Sequence, residues 1–240
     1  MTDGITQEPD TPQAGDAAAR QQVTEEFARA CERRAETYAL LARLYRCEVD
    51  EALLEELKQM LFPAHTQVQE SDRGYYLVAR YLSNSWENTA NELAIDYVRT
   101  FVGHGNDAKA AAYPFESVYT SEKHLIMQDS RDEVRAIYLS CGIDKAQSWR
   151  EGEDHIALEL EFMGTLARRT AKALCSGDID RAGNLLETQH SFLADHLAPW
   201  VPTMCEAMKC FAKTEFYQGL AWLTEGFLRT DDLALGEMLA

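Results

Sequence analysis

Structure breakers are scarce in this 240-residue chain, with six prolines and thirteen glycines, and nowhere is an alternation of apolar and polar residues sustained. These absences exclude a turn-rich sandwich or barrel and leave helices as the expected elements. Basic residues are short as well, 23 Lys and Arg against 40 Asp and Glu, for a formal charge of −17. Because a phosphate backbone is bound chiefly by Lys and Arg, no nucleic-acid partner is expected. A basic peptide or protein suits this field better, and acidity that only confers solubility is the plainer alternative.

Long apolar runs are missing too. No stretch of about 18 apolar residues is present to span a membrane, and the first ten residues have neither the basic start nor the apolar core of a secretory signal. A cytoplasmic location without stable membrane insertion is expected. The six cysteines, Cys31, Cys47, Cys141, Cys175, Cys205 and Cys210, form no CxxC pair. They read as small buried hydrophobes of a reducing compartment, with a zinc or iron-sulfur site as the minor alternative. The segment Gly103-His104-Gly105 follows helical residues rather than a strand and lacks a third spaced glycine, so it is no dinucleotide fingerprint. No GxxxxGK[ST], HExxH or GxSxG occurs. The motifs assign no catalytic residue, no metal and no cofactor.

What is present is helical period. Residues 1–20 carry Gly4, Pro9, Pro12 and Gly15 with no large aliphatic beyond Ile5, and read as a disordered tail ahead of a domain over 21–235. From Thr24, the residues Phe27, Cys31, Tyr38, Leu41 and Tyr45 recur at helical spacing opposite Arg33, Arg34 and Glu36, an amphipathic helix of about five turns. Asp50 is placed to cap a second helix with Leu53, Leu54, Leu57, Met60 and Leu61 inward and Pro63 beyond its end. Further periods cover roughly 71–83, 88–102, 121–141, 153–176, 178–198, 200–212 and 213–230. The fold expected is all-α, a single globular domain of about eight to ten helices.

Polar chemistry concentrates at two junctions. In Tyr113-Pro114-Phe115-Glu116-Ser117-Val118-Tyr119, Pro114 fixes its own backbone and biases Tyr113 toward an extended shape, which sets the directions of the residues that follow. Aromatic rings beside an acceptor suit peptide binding. The plain structural alternative makes Phe115 and Tyr119 core plugs and Ser117 the N-cap of a helix starting near Tyr119. In Glu153-Asp154-His155, the two acids complement the positive end of a helix dipole, and an imidazole there tends to be neutral. His155 and Glu159 share one helix face, which invites a metal reading, but no matching ligand helix occurs. Phe192, His196, Leu197 and Trp200, and later Phe216, Leu220, Leu223 and Phe227, read as core stripes.

In order along the chain, Leu41-Ala42-Arg43-Leu44-Tyr45, Asp96-Tyr97-Val98-Arg99-Thr100-Phe101-Val102-Gly103, Pro114 to Tyr119, Glu153-Asp154-His155, Glu159 to Met163, Phe192 to Trp200 and Phe216 to Leu223 resemble the TorD/DmsD-like family. These are the redox enzyme maturation, or Tat-proofreading, chaperones. The resemblance spans nearly the whole folded part. It implies an all-helical cytoplasmic chaperone, not an enzyme, that binds the twin-arginine signal peptide and apo form of a molybdenum-containing oxidoreductase of the DMSO/TMAO reductase kind. Cofactor insertion is thereby assisted and export delayed. Weak guanine-nucleotide binding and monomers or domain-swapped dimers are associated with some members. The positions matching the family's peptide-binding surface are Tyr97, Phe101, Pro114, Ser117, Tyr119, Glu153, Asp154 and His155. Departures fall at His104 and Gly152, where proline is frequent, and at Thr100, where leucine is usual.

The residues agree with that implication on physical grounds. Two guanidinium groups followed by an apolar stretch need carboxylates beside aromatic rings. Glu153, Asp154 and Glu116 are expected to supply the first, and Tyr97, Phe101, Phe115 and Tyr119 the second. The alternatives are an assembly subunit that binds the mature client domain, and a metal-dependent enzyme using His155 and Glu159.

Overall fold

A computed structural model describes residues 14–63, 65–103 and 110–239. Ten α-helices follow one another among them: α1 Ala14–Arg46, α2 Glu51–Gln59, α3 Gln69–Ser83, α4 Thr89–Tyr97, α5 Glu116–Thr120, α6 Asp129–Ser140, α7 Ile156–Cys175, α8 Ile179–Phe192, α9 Val201–Phe211 and α10 Glu215–Leu239. A π-helical turn extends α4 over Val98–Val102 and another extends α8 over Leu193–Leu197. The fold is all-α, as the periodicity requires. No helix is long and apolar enough to cross a membrane among the described residues.

Several boundaries differ from the sequence reading. Residues 1–13, and His104 and Gly105, lie outside the described residues, but the expected tail gives way to α1 at Ala14. The stretch Ala17-Ala18-Ala19-Arg20-Gln21 contains only good helix formers, which outweigh the two glycines and prolines before it. Phe27 is 38% exposed, and Met60 and Leu61 lie past the end of α2 with Leu61 99% exposed. Asp50 caps α2 as expected, accepting from the Leu53 amide at 2.8 Å. The period expected over 121–141 is helical only from Asp129. Leu125, Ile126 and Met127 are consecutive and cannot share one helix face; all three are about half exposed. Of the cysteines, only Cys31 and Cys205 are buried, while Cys175 and Cys210 are exposed.

The core lies where α1 packs along α7 and α3 along α10. At the second contact the backbones nearly touch. A Cβ on Gly219 would sit 2.9 Å from the Gly74 carbonyl and 2.8 Å from Val78 Cγ2, so only a hydrogen fits. Tyr97 and Phe101 belong to this body. Their rings lie 4.9 Å apart, Phe101 meets Tyr45 and Tyr217 edge-on, and the Tyr97 hydroxyl donates to the Tyr45 carbonyl at 3.0 Å. Asp96 is buried and accepts from the Lys213 and Thr214 amides at 3.0 and 2.7 Å, capping the start of α10. Arg34 on α1 is held by Asp231 on α10 in a buried bidentate pair that the Tyr38 hydroxyl joins at 2.7 Å.

Candidate functional site

The two motifs singled out in the sequence meet. Extended backbone at Phe115 and His155 forms an isolated antiparallel bridge. The Glu116 amide donates to the Asp154 carbonyl at 3.0 Å and the Ile156 amide to the Pro114 carbonyl at 2.9 Å. Pro114, which has no amide hydrogen to give, serves as an acceptor in this clasp. The bridge sets the starts of α5 and α7 side by side.

Side chains then bind the two starts together. The Asp154 carboxylate does not serve its own helix. Its Oδ2 accepts from the Ser117 amide at 3.1 Å and from the Ser117 hydroxyl, so it caps α5. Ser117 is therefore not an N-cap but the second residue of α5, and its hydroxyl also receives the Gln128 amide at 3.3 Å and faces Ser130 at 3.2 Å. His155 is the cap of α7, with Nδ1 accepting from the Ala157 amide at 3.0 Å. The expected placement of Glu153 and Asp154 inside the first turn is thus one step too far along. The helix begins only after the bridge has satisfied the backbone.

His155 is wedged edge-on between Phe115 and Trp149, ring centroids at 4.9 and 5.1 Å. Burial, helped by the positive Arg46, lowers its pKa to about 3. The ring is neutral as expected, with its proton on Nε2, but burial rather than the helix dipole is the main cause. Glu153 is held by Arg131 Nε at 2.6 Å and Lys145 Nζ at 3.0 Å. Burial would raise its pKa, but these cations outweigh it and bring the value below the ordinary range. Gly152 lies so close that a Cβ there would stand 2.6 Å from Asp154 Oδ1, so the missing side chain leaves this carboxylate room.

Behind the bridge lies a buried carboxyl cluster. Both Glu116 oxygens lie 3.3 Å from His196 Nδ1, and Glu159, wholly buried, stands against Glu116 and the Trp200 indole. Neither Glu159 oxygen has a hydrogen-bond partner among the described residues. Burial first, then the charges of Glu116 and Asp154, push the Glu159 pKa well above the carboxylate range. Burial also raises Glu116, against the opposing pull of His196. Tyr119 stacks on Trp200 at 5.5 Å.

Of the ten expected site residues, Pro114, Phe115, Glu116, Ser117, Tyr119, Glu153, Asp154 and His155 come together, while Tyr97 and Phe101 are core. Only Phe115 and Tyr119 among the ten retain appreciable exposure. Glu116, Asp154 and Glu153 are engaged inside the fold rather than standing free for a guanidinium. His196, Trp200 and Ser130 complete the arrangement. The first two read as core stripe in the sequence, and only their being polar on a buried face could have marked them. His155 and Glu159 do not build a metal centre: Nδ1 is taken by the Ala157 amide, and no group of three His, Cys, Asp or Glu among the described residues is arranged to hold an ion.

The described residues form an all-helical body in which the polar groups of two distant segments meet at one clasped, buried junction. Residues 50–206 match the sequence model of the family described as nitrate reductase delta subunit, and the chain belongs to that family. It is similar to the protein named Chaperone protein TorD of Vibrio cholerae serotype O1, 30% identical over 61% of this chain and 64% of that protein. The proteins of the same name from Aliivibrio fischeri and Aeromonas salmonicida are 26% and 29% identical over 83% and 86% of this chain, and 93% of each relative. In the Photobacterium profundum and Vibrio cholerae matches the chain spans 64% of the relative's length. Each of these relatives is named a chaperone.

Proposed function

We propose that this protein is a client-specific cytoplasmic chaperone. It binds the twin-arginine signal peptide and apo form of a molybdenum-containing oxidoreductase of the DMSO/TMAO reductase kind, assists cofactor insertion and delays export. The observation that carries this reading is the family match over residues 50–206, which contains both halves of the clasped junction. The chaperone names of the relatives support it, as does the net charge of −17, which attracts a basic peptide at low salt. Within the expected peptide-binding set, Phe115 and Tyr119 contact the ligand. Pro114, Glu116, Ser117, Glu153, Asp154 and His155 hold the frame, and Tyr97 and Phe101 support it from the core. Weak guanine-nucleotide binding and domain-swapped dimers enter from the family resemblance alone.

Calorimetric titration with a synthetic peptide carrying two consecutive arginines and an apolar tail tests this. Saturable binding that weakens with salt, and falls when both arginines become glutamine, is expected. Binding of a client that lacks its signal, with none of the peptide, would instead make the protein an assembly subunit for the mature domain.

A further inference from the structure

Three carboxyl groups converge behind the clasp: Asp154, Glu116 and Glu159 are 0, 3 and 0% exposed. Asp154 Oδ2 is taken by Ser117, but Asp154 Oδ1, both Glu159 oxygens and the indole Nε1 of Trp200 beside Glu159 are buried with no hydrogen-bond partner among the described residues. From the π-turn, His196 Nδ1 faces Glu116 at 3.3 Å. From α6, Ser130 meets the Ser117 hydroxyl, and Tyr138, held neutral by burial, donates to the Glu153 carbonyl at 3.2 Å. Neighbouring cations are committed elsewhere, Arg131 and Lys145 to Glu153 and Arg46 of α1 to Glu161. Glu116 opens outward onto a recess bordered by Glu122, Lys123, Asp129, Glu133 and Asp195. Three carboxylates facing one imidazole are too costly to hold out of water together, so the cluster must keep a proton. The two helices that share it are unequally anchored. α7 has 20 residues and packs along α1, whereas α5 has five and is fixed by the backbone bridge, the Asp154 cap and the stack of Tyr119 on Trp200.

We propose that Glu159 and Glu116 form a proton-operated latch between α7 and α5. With its proton, Glu159 donates across to the Glu116 carboxylate and holds the two helix starts together. Without it, two buried carboxylates repel, and α5, the lightly anchored side, moves off with Tyr119 and the loop that leads to α6. The proton leaves Glu159 by way of Glu116, which reaches solvent at the recess. Burial raises both carboxyls above their ordinary range, His196 opposing it at Glu116, and the pair titrates as a unit. The latch is therefore shut in acid and loosens as the pH climbs above the ordinary carboxylate range. It belongs to the frame and does not depend on which ligand the protein takes.

Amide exchange and infrared spectra of the full chain between pH 5 and pH 9 test this. At pH 8, residues 116–121 should exchange about tenfold faster in wild type than in Glu159→Gln, where the amide still donates to Glu116 and carries no charge. Glu116→Gln, which supplies a donor in place of a charge, should move the opening to lower pH. Infrared difference spectra of wild type should show the carbonyl band of an un-ionised acid persisting at pH 6 and vanishing as residues 116–121 open. If Glu159→Gln does not fold, wild-type exchange corrected for its intrinsic pH dependence decides: residues 116–121 must open across the infrared step while α7 does not. Exchange at pH 8 equal in wild type and Glu159→Gln, an infrared band already gone at pH 6, or opening of α5 and α7 together would overturn the latch.

Discussion

Along the contact of α3 and α10, backbone meets backbone, with Gly74 and Gly219 facing each other and apolar side chains filling in around them. Where α5 meets α7, the buried groups are carboxyls, imidazoles and hydroxyls. The helices there are aligned by two amide bonds and one bridging carboxylate. The first region is held by shape, which tolerates little change in volume. The second is held by hydrogen bonds whose partners carry charge or protons, so it answers to pH and to ligands.

The largest expected effect tests whether the body depends on one buried pair. Asp231→Ala leaves Arg34 charged, buried and without its bidentate partner, and should cost about 3 to 5 kcal/mol in urea unfolding. Next, Gly219→Val forces side chain into the Gly74 backbone and should cost about 1 to 3 kcal/mol or more; the folded fraction should still bind peptide with wild-type affinity. At the junction, Asp154→Ala strands the Ser117 amide and hydroxyl. It should cost about 1 to 3 kcal/mol and, unlike Gly219→Val, weaken peptide binding, because α5 carries Tyr119. Equal loss of binding in both variants would erase the contrast between the regions.

Much of this was legible in the sequence. Helix positions follow from the 3.6-residue period because each helix buries one stripe, and α2 could be placed by its Asp50 cap. The meeting of Pro114–Tyr119 with Glu153–His155 was expected as well. Partner identity was not legible, because it depends on distance along the chain. Ser117 looks like a local cap, yet its acceptor Asp154 lies 37 residues on, and His196 finds Glu116 from 80 residues away. The same limit led to the expectation that Glu153 and Asp154 would face a ligand. Nothing local to them shows that Arg131, Lys145 and Ser117 arrive first.

Two effects of pH belong to the junction. His155 has a folded pKa of about 3 against an ordinary 6.5, so the unfolded chain binds the proton first as pH falls. Stability is unaffected above 6.5 and should drop below it by up to about 1.4 kcal/mol per pH unit, down to about pH 3. His155→Gln should flatten that acid limb in melts followed by circular dichroism. Glu159 has the opposite sign. Its pKa is raised in the fold, so stability falls as pH rises above the ordinary carboxylate range. Glu159→Gln should be nearly neutral at pH 5 and more stable than wild type at pH 8, by about 1 kcal/mol.

The most direct test of the claim that the polar junction, and not the glycine-packed body, presents the binding surface is amide hydrogen exchange with and without the twin-arginine peptide. Slowed exchange over residues 116–133 and 193–197, with α3 and α10 unchanged, is expected. Protection confined to α3 and α10, with residues 116–133 unaffected by bound peptide, would contradict it.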